Sequence, residues 1–146
     1  MWDLTILSDH GFYIYAAANT AILAHNCAMS EAERLAARVD EIYGALDPIA
    51  QEQRTTAVMS TREGVDVLAG GVRDLVPAQR ALANEGDLLA RLPGEHAEIT
   101  AMNAASKAGL TPSQMAVSRV ICPACQEVIW ANGGEISNDG LGVVWP

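Results

Sequence analysis

The segment GEHAEITAMN, residues 94–103, sets His96 and Glu98 two positions apart at the mouth of an apolar run. An imidazole beside a carboxylate is costly to desolvate unless something compensates it. A second segment, ICPACQEVI at 121–129, brings Cys122 and Cys125. A Cys-x-x-Cys pair alone is open to several readings: a redox dithiol, half of a structural zinc site, or two buried cysteines. The pairing with His96 favours metal. Cysteines three apart face one side of a helical turn. The positive end of a helix dipole lowers thiol pKa and favours the thiolates a metal needs. With His96 as a third donor, one tetrahedral position is left for water, the pattern of a catalytic zinc. Glu98 does not share a helix face with His96, so it is expected to reach that water rather than the metal. Two thiolates cancel the formal charge of Zn²⁺, so the metal activates water less strongly than an all-histidine site would, and a carboxylate that moves protons completes the set. One zinc per chain is expected, held by His96, Cys122 and Cys125, with Glu98 as the catalytic group.

Each pair must sit at the start of a helix for this to work, and the surrounding pattern supplies such starts. The run after His96 is expected to be helical to about 108 and to stop at Gly109. Pro123, well tolerated at a first helical position, opens a helix over 123–132 that Gly133-Gly134 closes. MAVSRVI at 115–121 reads as a buried strand running straight into Cys122. Upstream, Ser30 and Glu33 have capping-box spacing. Ala32, Leu35, Ala36, Val39, Ile42, Tyr43 and Leu46 form the stripe of an amphipathic helix. Val58, the polar turn Arg62-Glu63-Gly64, and the alternation of Val65, Val67 and Ala69 predict a hairpin. Pro77 opens a short helix, and GVVW at 142–145 is a last strand. The order from residue 28 is α-β-β-(α)-α-β-α-β, which implies a layered α/β sheet. Residues 2–24 instead alternate in short β-rich runs, and a boundary is expected at 26/27.

The bulk numbers fit one domain with a short appendage. The chain has 146 residues, half of them hydrophobic, enough for a real core. Its net charge of −9 argues against a broad phosphate-gripping scaffold but leaves room for a local pocket. Three cysteines, with one close pair, make a poor disulfide framework. No apolar stretch reaches the roughly 20 residues of a membrane span, so no membrane insertion is expected. The start of this fragment lacks the basic region and cleavage site of a signal peptide.

Residues 28–146 resemble the cytidine deaminase-like superfamily, and most closely the deaminase domains of bacterial polymorphic toxins. GEHAEITAMNAA and SRVICPACQEVI carry the resemblance. One departure is that the usual Pro-Cys-x-x-Cys becomes Ile121-Cys122-Pro123-Ala124-Cys125. The resemblance implies a three-layer α/β fold with a mixed central sheet flanked by helices and a zinc site at two helix N-termini. It also implies that His96, Cys122 and Cys125 bind zinc and that Glu98 shuttles protons. The expected reaction is hydrolytic deamination of cytosine to uracil in nucleic acid, single-stranded DNA being favoured. Adenine as the base, or free nucleosides and nucleotides as substrates, are the alternatives. In such folds the first hairpin and the loop before the first cysteine line the pocket, which makes Thr55, Thr56 and Ser118 candidate substrate contacts. Tyr43, Trp130 and Trp145 are candidates to stack on a base, and Arg91, Lys107 and Arg119 to meet phosphates. The first 27 residues resemble the C-terminal end of a HINT (intein-like) domain, which ends in His-Asn-Cys. By that resemblance His25 would assist cyclisation of Asn26, with cleavage before Cys27. A secreted or delivered toxin acting in a target-cell cytoplasm, with a cognate immunity protein, is the expectation. A non-catalytic zinc-binding interaction module and a thiol redox protein are the readings from other classes. Glu98 speaks against the first, because a structural site needs no proton shuttle. The second leaves both His96 and Glu98 unexplained.

Overall fold

The computed structural model describes residues 4–6, 11–16, 20–25 and 29–146, the first three segments by their backbone alone. The chain divides into two compact units, residues 1–30 and 31–146. In the first, β1 (Leu4–Ile6), β2 (Gly11–Ala16) and β3 (Thr20–His25) form an antiparallel sheet in the order β1-β2-β3. These are the short β-rich runs expected there. The expected boundary residues, Asn26 and Cys27, lie outside the described residues.

The second unit begins with α1 (Glu31–Gly44), whose Leu35, Val39 and Ile42 are buried. The buried stripe is narrower than the sequence pattern, since Ala32 and Ala36 are exposed. A short helix, α2 (Pro48–Gln53), follows, capped where the Asp47 side chain accepts from the Ala50 amide. Next come β4 (Thr56–Thr61) and β5 (Asp66–Gly70), paired antiparallel from Thr56↔Gly70 to Ser60↔Asp66 as the expected hairpin. The remaining elements are α3 (Pro77–Arg80), β6 (Leu88–Leu89), α4 (Ala97–Lys107), β7 (Pro112–Val117), α5 (Pro123–Ala131), β8 (Glu135–Ile136) and β9 (Gly142–Val144). The sheet is six-stranded in the order β6-β5-β4-β7-β9-β8. It is mixed, because β5 and β6 pair parallel while β4 pairs antiparallel with both β5 and β7.

Period-two alternation gives this sheet two dry faces. Ala57, Met59, Val67, Ala69, Met115 and Val117 pack with Ala97, Ala101 and Ala105 of α4 and with Cys125 and Ile129 of α5. Val58, Leu68 and Ala116 point the other way, against Leu35, Val39 and Ile42 of α1. Small alanines on α4 let that helix lie close over β4 and β5. Arg38 of α1, only 9% exposed, donates to Asp87 and to the Leu82 carbonyl, tying the segment before β6 to this second layer.

The topology determines where the motif residues go. With β4 antiparallel to both of its neighbours, β5, β6 and β7 all run the same way. Helix α4 follows β6 and α5 follows β7, so both helices begin beyond the carboxyl ends of these strands. That is the crevice where open α/β sheets place their ligands. The strand leading to α5 is shorter than expected: β7 stops at Val117, and Ser118–Ile121 is irregular. Here the Ser118 hydroxyl accepts from the Thr56 amide, and Ile121 is buried in the core with Cys125 and Ile129 while its amide donates to the Gly140 carbonyl. Among the described residues, no helix is long and apolar enough to cross a membrane.

One glycine closes the core beneath α5. A β-carbon on Gly134 would lie 2.6 Å from Ile129 Cγ2 and 3.0 Å from both Trp145 Cε2 and Val143 Cγ1. Gly134→Ala is therefore expected to lower stability by about 1–3 kcal/mol, as overpacked cores do. A urea midpoint that falls at unchanged slope would show it.

Candidate metal centre

His96 is the N-cap of α4 and Cys122 the N-cap of α5, and both have extended backbones, at φ −69°, ψ 153° and φ −69°, ψ 156°. Neither cap side chain binds its own helix end, so both remain available to a ligand. Pro123 occupies the first turn of α5, and Cys125 lies two residues beyond it. The α4 helix ends where the sequence stops it: Leu110 donates to the Ala105 carbonyl across Gly109, whose φ is +71°.

The three donors converge. His96 Nδ1 lies 3.4 Å from Cys122 Sγ and 3.2 Å from Cys125 Sγ, and all three ligand atoms lie within 4.8 Å of one another. Zinc bonds of about 2.3 Å to sulfur and about 2.0–2.1 Å to imidazole, at tetrahedral angles, put such donors about 3.5–3.8 Å apart. The observed spacings come within a few tenths of an ångström of that. His96 is exposed, Cys122 half-buried and Cys125 buried, so the donor cluster is open to solvent on the His96 side. The residues fit a divalent metal of zinc's preferences, bound by one nitrogen and two sulfurs.

The thiols differ from the expectation in one respect. Burial pushes Cys125 up to about 12, reinforced by its hydrogen bond to Cys122 and by the charge of Glu98. These outweigh the helix end, so this thiol calls for a cation before it gives up its proton.

Glu98 stands beside this cluster without joining it. The group of possible metal donors among the described residues comprises His96, Cys122 and Cys125. Glu98 is 3% exposed, and its Oε2 has no hydrogen-bond partner among the described residues. Burial raises its carboxyl above the ordinary carboxylate range, against smaller lowering by its own backbone amide and by His96. A buried carboxylate oxygen without a partner is expensive, so it accepts a proton more readily than an ordinary carboxylate.

The other candidates divide. A β-carbon placed on Gly71 would lie 3.2 Å from the Ala97 amide nitrogen and 3.6 Å from Thr55 Cβ. Thr55 therefore flanks the start of α4. Thr56 is fully buried on the α1 side, its hydroxyl accepting from Gln79 Nε2 at 3.0 Å. Ser118 sits at the end of β7, holding the Thr56 amide at 2.9 Å. Thus the structure brings Thr55 to the cluster's side of the sheet and gives the Thr56 and Ser118 hydroxyls partners within the fold. Tyr43 donates to the Gln51 carbonyl, Trp145 is in the core beneath Gly134, and Trp130 lies exposed in the last turn of α5. Lys107 is in the last turn of α4, the opposite end from His96. Arg91 follows β6 and is paired with Asp74 at 3.5 Å. Arg119 follows Ser118 directly. Asn26 and Cys27 lie outside the described residues, and of His25 only its backbone position opposite Gly11 is described.

Two neighbours of the cluster were missed. Gly71 permits the close approach of β5's end to α4, a role that the Gly70-Gly71 pair after a strand could have signalled. Val72 has a left-handed backbone, at φ +62°. Its amide donates to the Glu95 carbonyl at 2.7 Å and its carbonyl accepts from the Gly94 amide at 2.9 Å. A β-branched residue in this conformation is strained, and here it anchors the residues just ahead of His96. Grooves of about 510 Å³ beside Trp145 and about 380 Å³ over α1 and β9 include none of the cluster residues. No protein-family model matches this chain, and neither a curated protein nor a solved structure matches it.

Proposed function

We propose that this chain is a zinc-dependent hydrolytic deaminase that converts cytosine to uracil in nucleic acid, single-stranded DNA foremost. The observation that carries the reading is Glu98. A buried carboxyl with an unpartnered oxygen, set beside three converging metal donors but outside them, is what proton transfer needs and what a structural zinc site does not.

His96, Cys122 and Cys125 would hold the ion, which when bound lowers the pKa of a water molecule and so supplies a nucleophile near neutral pH. The chain's own part is proton traffic. Glu98 Oε2 takes a proton from the attacking water and gives it to the ring nitrogen N3 as the C4–O bond forms. It then takes the second water proton and delivers it to the exocyclic amine, which leaves as ammonia. The base ends as uracil and Glu98 as it began, so one water is consumed for each ammonia released. A base must leave a duplex stack to reach such a site, which favours a single strand. The resemblance to toxin deaminases and the HINT-like leader support delivery into a target-cell cytoplasm and a cognate immunity protein that restrains the domain.

Incubation of the zinc-loaded chain with single-stranded DNA, RNA and free nucleosides, followed by mass-spectrometric counting of bases, tests this directly. Uracil is expected, with the DNA strand as the best substrate. Inosine in place of uracil would move the reading to adenine. Neither product from any substrate would overturn it.

A further inference from the structure

The chain is acidic overall, yet its unpaired positive charge is unevenly placed. Of its nine basic residues, Arg34, Arg38 and Arg91 are in ion pairs and Arg62 donates to the carbonyls of Trp145 and Pro146. The side chains of Arg54, Arg73, Arg80, Arg119 and Lys107 have no partner among the described residues. Three of these five converge on the end of the sheet where the metal donors sit. Arg54 immediately precedes Thr55, whose carbonyl accepts from the Gly71 amide at 2.9 Å. Arg73 is two residues past Gly71 and follows the strained Val72 that is bonded to Glu95. Arg119 follows Ser118, whose amide donates to the Thr56 carbonyl at 2.9 Å, and lies three residues before Cys122. Thus the start of β4 and the ends of β5 and β7 deliver one arginine each. Arg73 and Arg119 are exposed and Arg54 half-buried.

We propose that Arg54, Arg73 and Arg119 form a phosphate-binding arc that seats the backbone of a single-stranded polynucleotide across the mouth of the metal centre. Guanidinium is the natural partner for this ligand, because its planar fork engages phosphate oxygens and it is weakly hydrated. A nucleoside would present nothing to these charges, and a mononucleotide would satisfy only one or two of them. Three cations from three sheet ends match successive phosphates of a strand. Glu95, exposed one residue before His96, sets a negative charge beside the metal donors and keeps the phosphates to the outer side of the arc. The exposed His96 leaves the mouth open enough for a chain to pass. The proposal rests on the deaminase reading for its orientation, since the base between two seated phosphates turns inward to the metal.

Binding can be read without chemistry by using a labelled oligothymidylate of about 15 nucleotides, with an oligouridylate as the RNA arm. Neither carries an exocyclic amine. Affinity is measured by fluorescence anisotropy from about 50 to 200 mM salt for the full chain. The triple variant Arg54→Ala/Arg73→Ala/Arg119→Ala is expected to flatten the slope of log affinity against log salt by about 2, at about 0.7 per phosphate contact on a single strand. The matching Arg→Lys triple should keep most of the slope. Arg62→Ala/Lys107→Ala, at the opposite end of the sheet, should keep all of it. An unchanged slope in the alanine triple, equal flattening by the far-end pair, or no binding by the wild-type chain would overturn the arc. Uridine formation from cytidine and uracil formation within strands are scored separately, so failure of the arc and failure of the deaminase reading are told apart.

Discussion

Glu98→Ala is expected to keep the zinc and lose the reaction. The carboxyl lies outside the donor set, so its removal leaves His96, Cys122 and Cys125 in place. Its Oε2 is buried without a partner, so truncation relieves a desolvation burden and the thermal midpoint should hold or rise. Catalysis should collapse. A general acid–base group contributes about 10²–10⁴ in rate, and one used several times per turnover belongs at or above the top of that range. Zinc by elemental analysis, uracil by mass spectrometry and a thermal melt, run together on wild type and variant, give the answer. Uracil formation within about tenfold of wild type would sink the shuttle role.

The second large effect concerns the ion itself. The wild-type chain is expected to purify with about one zinc, the content of one site with three protein donors. Cys122→Ala/Cys125→Ala and His96→Ala should each lose it along with all uracil formation. The double variant removes both sulfurs, including the 3% exposed Cys125 that bridges α5 to the core. The single variant removes the nitrogen that lies within 3.4 Å of both. Because the metal binds the folded chain, chelation should lower the thermal midpoint of wild type. The variants, having no zinc to lose, should not respond. Full zinc content in the cysteine double variant would refute the assignment.

The helix mouths were legible because their signals are local. Pro123, Gly109 and the Gly133-Gly134 pair mark helix ends within a few residues of the motifs. The hairpin was legible for the same reason, through alternation around a polar turn. The run 115–121 misled because Ile121 enters the same core cluster as Met115 and Val117 from an irregular loop, and apolarity does not say whether a strand or a loop delivers it. Thr56 looked available because its partner Gln79 lies on another element, and no spacing rule links a strand hydroxyl to a distant amide. Lys107 lay beyond reach on arithmetic the sequence already allowed: eleven residues of helix rise about 16 Å from His96. The arginines beside Thr55 and Gly71 were hidden because only the register of β4 with β5 and β7 reveals that their ends coincide. Two-residue strands such as β6 and β8 are too short to show any period.

Those two short strands matter in a way unrelated to the site. They are the outermost members of the six-stranded sheet, so its margins offer only the backbone of Leu88–Leu89 and Glu135–Ile136 for another chain to pair with. The long central strands, apolar on both faces, would be dangerous templates if they stood at the rim. Brief edges therefore disfavour strand-by-strand self-association through this sheet.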